Sequence, residues 1–164
     1  MRTADRLLQF ASEFPKLEIG VNGRPYLDRY YVRGAHPSSG FGIKDPPSLP
    51  DTLLPGIPDP TIYLHHFHAG DGDRDLHNHP WSARCLILCG GYREEYLEGG
   101  EILTREFRAG QVNAFGPRHF HRIDLLEPDT WTLVIHGAPT QPWGFRDNVT
   151  GVFVGWREYL ARKP

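Results

Sequence analysis

The chain has 164 residues with 18 basic and 20 acidic side chains, a net charge of −2. That length fits one domain, and the near balance of charge excludes the basic footprint of a nucleic-acid binder and the polybasic segment of a membrane-surface protein, so a small-molecule partner is expected. No apolar run approaches the roughly 20 residues of a membrane span, and Met1-Arg-Thr-Ala-Asp-Arg lacks a charged-then-apolar leader pattern, so a soluble cytoplasmic protein is expected.

Fifteen prolines and 18 glycines without a period, set among short β-branched and aromatic runs, predict an all-β domain rich in turns. Residues 3–14 read as a helix, with Leu7, Leu8, Phe10, Ala11 and Phe14 as its apolar positions and Pro15 as its stop. A strand is expected at 26–32. Residues 34–60 hold seven prolines and little periodicity, which predicts a long loop, either a lid over a barrel mouth or a surface wrap. Further strands are expected at 61–69, 83–89, 91–98, 101–108, 111–115, 119–125, 131–136 and 151–155, and a short helix at 156–162. The hairpin 92–107 turns at Gly99-Gly100, where a primed turn needs positive φ. The expected organisation is one structural domain, with residues 1–60 (helix, strand and Pro-rich extension) packed on a barrel formed by 61–164. Cys85 and Cys89, in an apolar run, are expected to pack in a buried strand rather than form a disulfide or a zinc ribbon.

The chemistry concentrates in two His-x-His segments. In Asp75-Leu-His-Asn-His-Pro-Trp81, His77 and His79 share a face if the segment is extended, and Trp81, Ala83, Cys85 and Ile87 continue that parity. In Arg118-His-Phe-His-Arg-Ile-Asp-Leu, alternation puts His119, His121, Ile123 and Leu125 on the more apolar face. Imidazoles aimed into an apolar interior need partners for their nitrogens, and a metal with hydrogen-bonding groups behind the ligands supplies them. Around these, Tyr63 and His65 share a face with Phe67, and together with Trp81 they are candidate substrate-binding residues; His66 and His68 point the other way. The charges Arg93, Glu94, Glu95, Glu98 and Glu101 are expected to form the solvated edge of the hairpin. Asp71, Asp73 and Asp75 lack the twelve-residue calcium-loop pattern and are expected in an ordinary turn.

These segments resemble the cupin superfamily, whose motifs pair Gly-x5-His-x-His-x3,4-Glu-x6-Gly with Gly-x5-Pro-x-Gly-x2-His-x3-Asn; the likeness spans residues 61–137. His77 and His79 fit the first motif, with Gly90 or Gly91 as its closing glycine, and Gly110 and His121 keep the spacing of the second, with Pro117 shifted by one. Most of the chain, from Tyr26-Leu-Asp-Arg-Tyr-Tyr31 through His-Asn-His-Pro-Trp81 to Trp143-Gly-Phe145, is also similar to a group of small bacterial cupins. The resemblance implies a double-stranded β-helix, or jelly-roll barrel, and a metal site of His77, His79 and His121, with His119 as an acid/base or orienting group or an alternative ligand.

The departure from the motif is informative. Where the family supplies glutamate, this chain has Ala83 or Arg84, neither of which binds a cation. Three imidazoles leave the ion's charge uncompensated and positions open for other ligands, as in the three-His iron sites of thiol and diketone-cleaving dioxygenases. The resemblance therefore implies an Fe(II) enzyme that oxidises or dioxygenates a small chelating substrate, commonly as a homodimer. Zn, Ni or Mn in a redox-neutral isomerase, lyase or hydrolase is the alternative. A ligand-binding barrel without turnover, and a metal-free acid/base barrel using His121 with Tyr63 or Tyr92, remain as further readings.

Overall fold

The computed structural model describes residues 1–21, 23–34, 57 and 59–162, so the expected Pro-rich loop, lid or wrap, falls almost wholly outside the described residues. Twelve strands and two helices occur among them. Helix α1 (Thr3–Ala11) is shorter than periodicity predicts: Pro15 disfavours helical backbone at Phe14, and the chain leaves the helix through a turn at Ser12. Asp5 accepts a hydrogen bond from the Arg2 backbone N–H at 2.9 Å, which fixes the start of the helix.

The strands are β1 (Lys16–Val21), β2 (Arg24–Arg33), β3 (Thr61–Phe67), β4 (Leu76–His77), β5 (Ala83–Cys89), β6 (Gly91–Glu98), β7 (Glu101–Arg108), β8 (Val112–Phe115), β9 (His121–Leu125), β10 (Thr130–His136), β11 (Gly144–Arg146) and β12 (Phe153–Gly155). Helix α2 (Trp156–Arg162) follows, where a terminal helix is expected. Two six-stranded antiparallel sheets result, in the orders β1-β2-β3-β10-β5-β8 and β12-β11-β4-β9-β6-β7, and they form the jelly-roll barrel. Strands β1, β4 and β11 are not anticipated from the sequence. Two of them have only two or three residues, too few to display a period, whereas β1 does alternate at Leu17, Ile19 and Val21. The β6–β7 turn places Gly99 and Gly100 at φ 60° and 90°, as a primed turn requires.

Strand β10 explains how the first sheet is packed on both faces. All seven of its residues are buried. Trp131, Leu133 and Ile135 face outward and join Tyr30, Val32, Ile62 and Leu64 beneath Ala11 of α1, while Val134 faces the barrel interior with Cys85 and Ala83. The interior continues through Leu27, Phe67, Ile87, Tyr92 and Ile123. Both cysteines are free, and burial pushes the Cys85 thiol up to about 12, so it packs as an inert apolar group. No helix among the described residues is long and apolar enough to cross a membrane.

Trp131 is 1% exposed and stacks between layers, on Tyr30 at 5.9 Å and on His66 at 4.2 Å. Trp131→Ala should therefore lower the unfolding free energy by about 3–5 kcal/mol, measured by chemical denaturation. A loss below about 1 kcal/mol would mean that α1 does not seal this face.

Candidate metal centre

The first clamp is delivered by a strand that stops almost as it begins. β4 ends at His77, and Pro80 then holds His79 extended, so the two imidazoles project to one side while Asn78 projects to the other. Asn78 is 3% exposed and fully engaged: its Oδ1 accepts from the Gly144 N–H at 2.8 Å, and its Nδ2 donates to the carbonyls of Pro117 and Pro142 at 3.3 and 3.4 Å. His77 pairs in register with His121, the first residue of β9, which brings the second motif onto the first.

The three rings form a near-equilateral group, with centroids 5.0 Å apart for His77–His79 and His77–His121 and 5.1 Å for His79–His121. Their donor nitrogens lie within 4.8 Å of one another. Burial, which prevails over the neighbouring Asp71 carboxylate, pushes His77 down to about 4, and burial together with His77 and His121 holds His79 well below the usual histidine range. Both are thus neutral near pH 7, the form that binds metals. The Nε2 atoms of His79 and His121 approach to 3.0 Å, a separation that two nitrogens each about 2.0–2.1 Å from one ion can span. The donor set and its spacing therefore fit a divalent cation.

Behind His121 stands a residue expected on the hairpin's solvated edge. Glu94 is instead 0% exposed, because on β6 it alternates inward with Tyr92 and Tyr96 while Arg93 and Glu95 turn out. Its Oε1 accepts from His121 Nδ1 at 2.5 Å, from Asn113 Nδ2 at 3.1 Å and from His119 Nε2 at 3.1 Å, and its Oε2 accepts from Arg105 Nε at 2.5 Å. Burial opposes ionisation, but the bonds from His119, His121 and Arg105 prevail and hold this carboxyl well below the usual range. Glu94 thereby keeps the proton of His121 on Nδ1 and leaves Nε2 with its lone pair toward the other imidazoles. Glu94, His119 and His121 also lie close enough to form a second donor group, but Arg105 occupies one Glu94 oxygen, and Asn113, His119 and His121 occupy the other.

Asp71 opens a turn as expected, its carbonyl accepting from the Arg74 N–H at 3.4 Å, but its side chain is buried, only 5% of the residue being exposed. Its Oδ2 accepts from the Ile123 N–H at 2.7 Å, and its Oδ1 accepts from Tyr26 Oη at 2.9 Å and pairs with Arg74. His77 Nδ1 lies 4.0 Å from Asp71 Oδ2 and has no hydrogen-bond partner among the described residues. A carboxylate thus stands behind two of the three imidazoles.

The triad opens into a cavity of about 590 Å³ whose wall includes His65, Trp81, Phe67, Tyr92 and Phe115. Of the expected substrate-binding residues, His65 and Trp81 line it. Trp81 stacks on His79 at 4.6 Å and on His136 at 4.2 Å. Tyr63 is not part of the wall; its ring lies behind, stacked on His65 at 5.9 Å. His119 is also off the wall, since β9 begins only at His121, but the two histidines lie on one side as expected: their rings meet at 5.1 Å and both donate to Glu94 Oε1. The His119 ring also stacks on Tyr96 and Phe115.

No family model matches the chain, and no curated protein does. Solved structures do match in shape. Oxalate decarboxylase from Bacillus subtilis superposes with a TM-score of 0.53 at 15% identity, covering 93% of this chain and 32% of that one. A structure of the DMSP lyases RdDddP and RnDddQII gives 0.53 at 14%, covering 76% and 57%, and FeII HppE gives 0.51 at 9%, covering 76% and 57%. The chain spans about a third of the decarboxylase and little more than half of the other two. The fold is that of the cupin barrels.

Glu94→Gln removes the charge that holds the His121 proton in place. It should weaken Zn(II) binding by about 10- to 100-fold, read by competition with a chromophoric chelator. Unchanged affinity in a folded variant would show that Glu94 does not orient a ligand.

Proposed function

We propose that this chain is a mononuclear metal-dependent cupin enzyme in which His77, His79 and His121 hold the ion. The observation that supports the reading is the cluster of three imidazoles at the wall of an apolar cavity, with no carboxylate among the three. We take Fe(II) as the metal and oxidation or dioxygenation of a small chelating substrate as the reaction. The ion supplies Lewis acidity and redox capacity beside positions that the three histidines leave open. The chain's own residues have separable tasks. Glu94 fixes the His121 ring, Asp71 places a negative charge behind His77, Trp81 and His65 bound the substrate space, and the apolar wall excludes water. His119 takes the orienting role rather than direct proton transfer to substrate, because it lies off the cavity wall and donates to the same Glu94 oxygen that holds His121.

A redox-neutral reading, with Zn, Ni or Mn polarising a carbonyl, draws on the shape neighbours that are a decarboxylase and lyases. A homodimer in the cytoplasm is the working state that goes with either reading.

Elemental analysis of protein purified without a polyhistidine tag, alongside anaerobic Fe(II) reconstitution, tests the proposal. The expected result is about one ion per chain, as a single three-histidine site implies, and its loss in His77→Ala, His79→Ala and His121→Ala. Iron with oxygen consumption supports the oxidative branch; zinc, nickel or manganese at the same stoichiometry moves the chemistry to the redox-neutral branch. Protein that takes up no metal under any condition sinks both.

A further inference from the structure

The charges of the cavity wall do not balance. Among the described residues its one carboxylate is Asp71, which is consumed by Arg74, the Tyr26 hydroxyl and the Ile123 N–H. Arg29 remains. It sits on β2 directly opposite His65, and alternation aims it inward beside Leu27. Its Nε donates to His65 Nε2 at 2.9 Å and its Cζ lies 4.7 Å over the Tyr63 ring, so the stem and one edge of the guanidinium are fixed. That single acceptor is neutral, since burial and the neighbouring Arg29 hold His65 well below the usual histidine range. Among the described residues no carboxylate and no further hydrogen bond engages its terminal nitrogens.

A guanidinium held against an apolar wall without a counter-anion is costly, and its planar fork matches a carboxylate in two parallel hydrogen bonds. The second cationic pole of the cavity is the triad with its ion, whose ligands supply no negative charge. A continuous run of rings joins the two poles: Tyr63 touches His136 at 5.0 Å, His136 stacks on Trp81 at 4.2 Å, and Trp81 stacks on His79 at 4.6 Å. The wall between is apolar, with Phe67, Val134 and Ile123.

We propose that Arg29 is the carboxylate-binding residue of this cavity, and that the substrate is a monocarboxylate with an apolar body; that its other end carries a metal-binding group rests on the metal reading above. Arg29 is held in position by His65 and Tyr63, which gives the two expected pocket residues their tasks.

The probes are benzoate, phenylacetate and hydrocinnamate against their primary amides, with binding followed through the fluorescence of Trp81 and Trp143 on the cavity wall. In the purified full chain at least one acid should bind about 10- to 100-fold more tightly than its amide, the range expected of hydrogen bonds to a charged group. Arg29→Gln should remove that preference. Arg29→Met, which keeps an apolar stem over Tyr63, should do the same and stands in if the glutamine variant melts early. Acids that bind no better than amides, including the case in which nothing binds, overturn the inference, as does a preference that survives both substitutions. His77→Ala separates the two readings: acid preference retained there leaves Arg29 assigned even if the metal is absent, while normal metal content with no acid preference removes Arg29 and leaves the metal.

Discussion

A carboxylate at the centre of a protein is tolerable only where its lone pairs and charge are fully met, and Glu94 meets that condition with residues from outside its own strand. Arg105 comes from β7, Asn113 from β8, His119 from the segment just before β9 and His121 from the first residue of β9. Because β8 belongs to the first sheet and the others to the second, this network is a polar bond across the barrel interior. Removing one member leaves a buried charge without its complement, a far larger cost than losing an exposed ion pair. The orientation of His121, and with it the meeting of the two histidine motifs, depends on this knot.

Asp71 repeats the arrangement on the other side of the triad. Each carboxylate stands near one imidazole, each pairs with an arginine, and each arginine lies over a tyrosine ring: Arg105 over Tyr96 at 4.5 Å and Arg74 over Tyr26 at 4.4 Å. The two assemblies place carboxylates beside their histidines while contributing almost no net charge of their own. A cation between the histidines would therefore sit inside a nearly neutral surround, and the charge balancing it would have to arrive from the cavity.

Much of this was legible in the residue pattern. His77 and His79 follow from parity, and the spacing of Gly110 and His121 follows from the family likeness; the structure brings all three together. Parity also had the means to find Glu94, since Tyr92, Glu94 and Tyr96 alternate on one strand, but five charges in a short hairpin read collectively as an edge. Asp71 carried no such signal: it lies among glycines and acids typical of turns, and only the approach of Ile123 and Tyr26, some 50 residues away in the chain, buries it. The short strands β4 and β11 were invisible for a related reason. Their extended conformation is imposed by neighbours in the sheet rather than by any local preference.

Asn78 adds a kinetic consequence. Its side chain ties the interval between His77 and His79 to three distant points, the carbonyls of Pro117 and Pro142 and the amide of Gly144. Freeing either histidine by loop motion requires those bonds to break together, and with them the local pairing of β11 with β4. Opening of the centre is thus coupled to sub-global unfolding rather than to loop fluctuation. An ion held there would exchange on the slow timescale of that cooperative opening, whatever its equilibrium affinity.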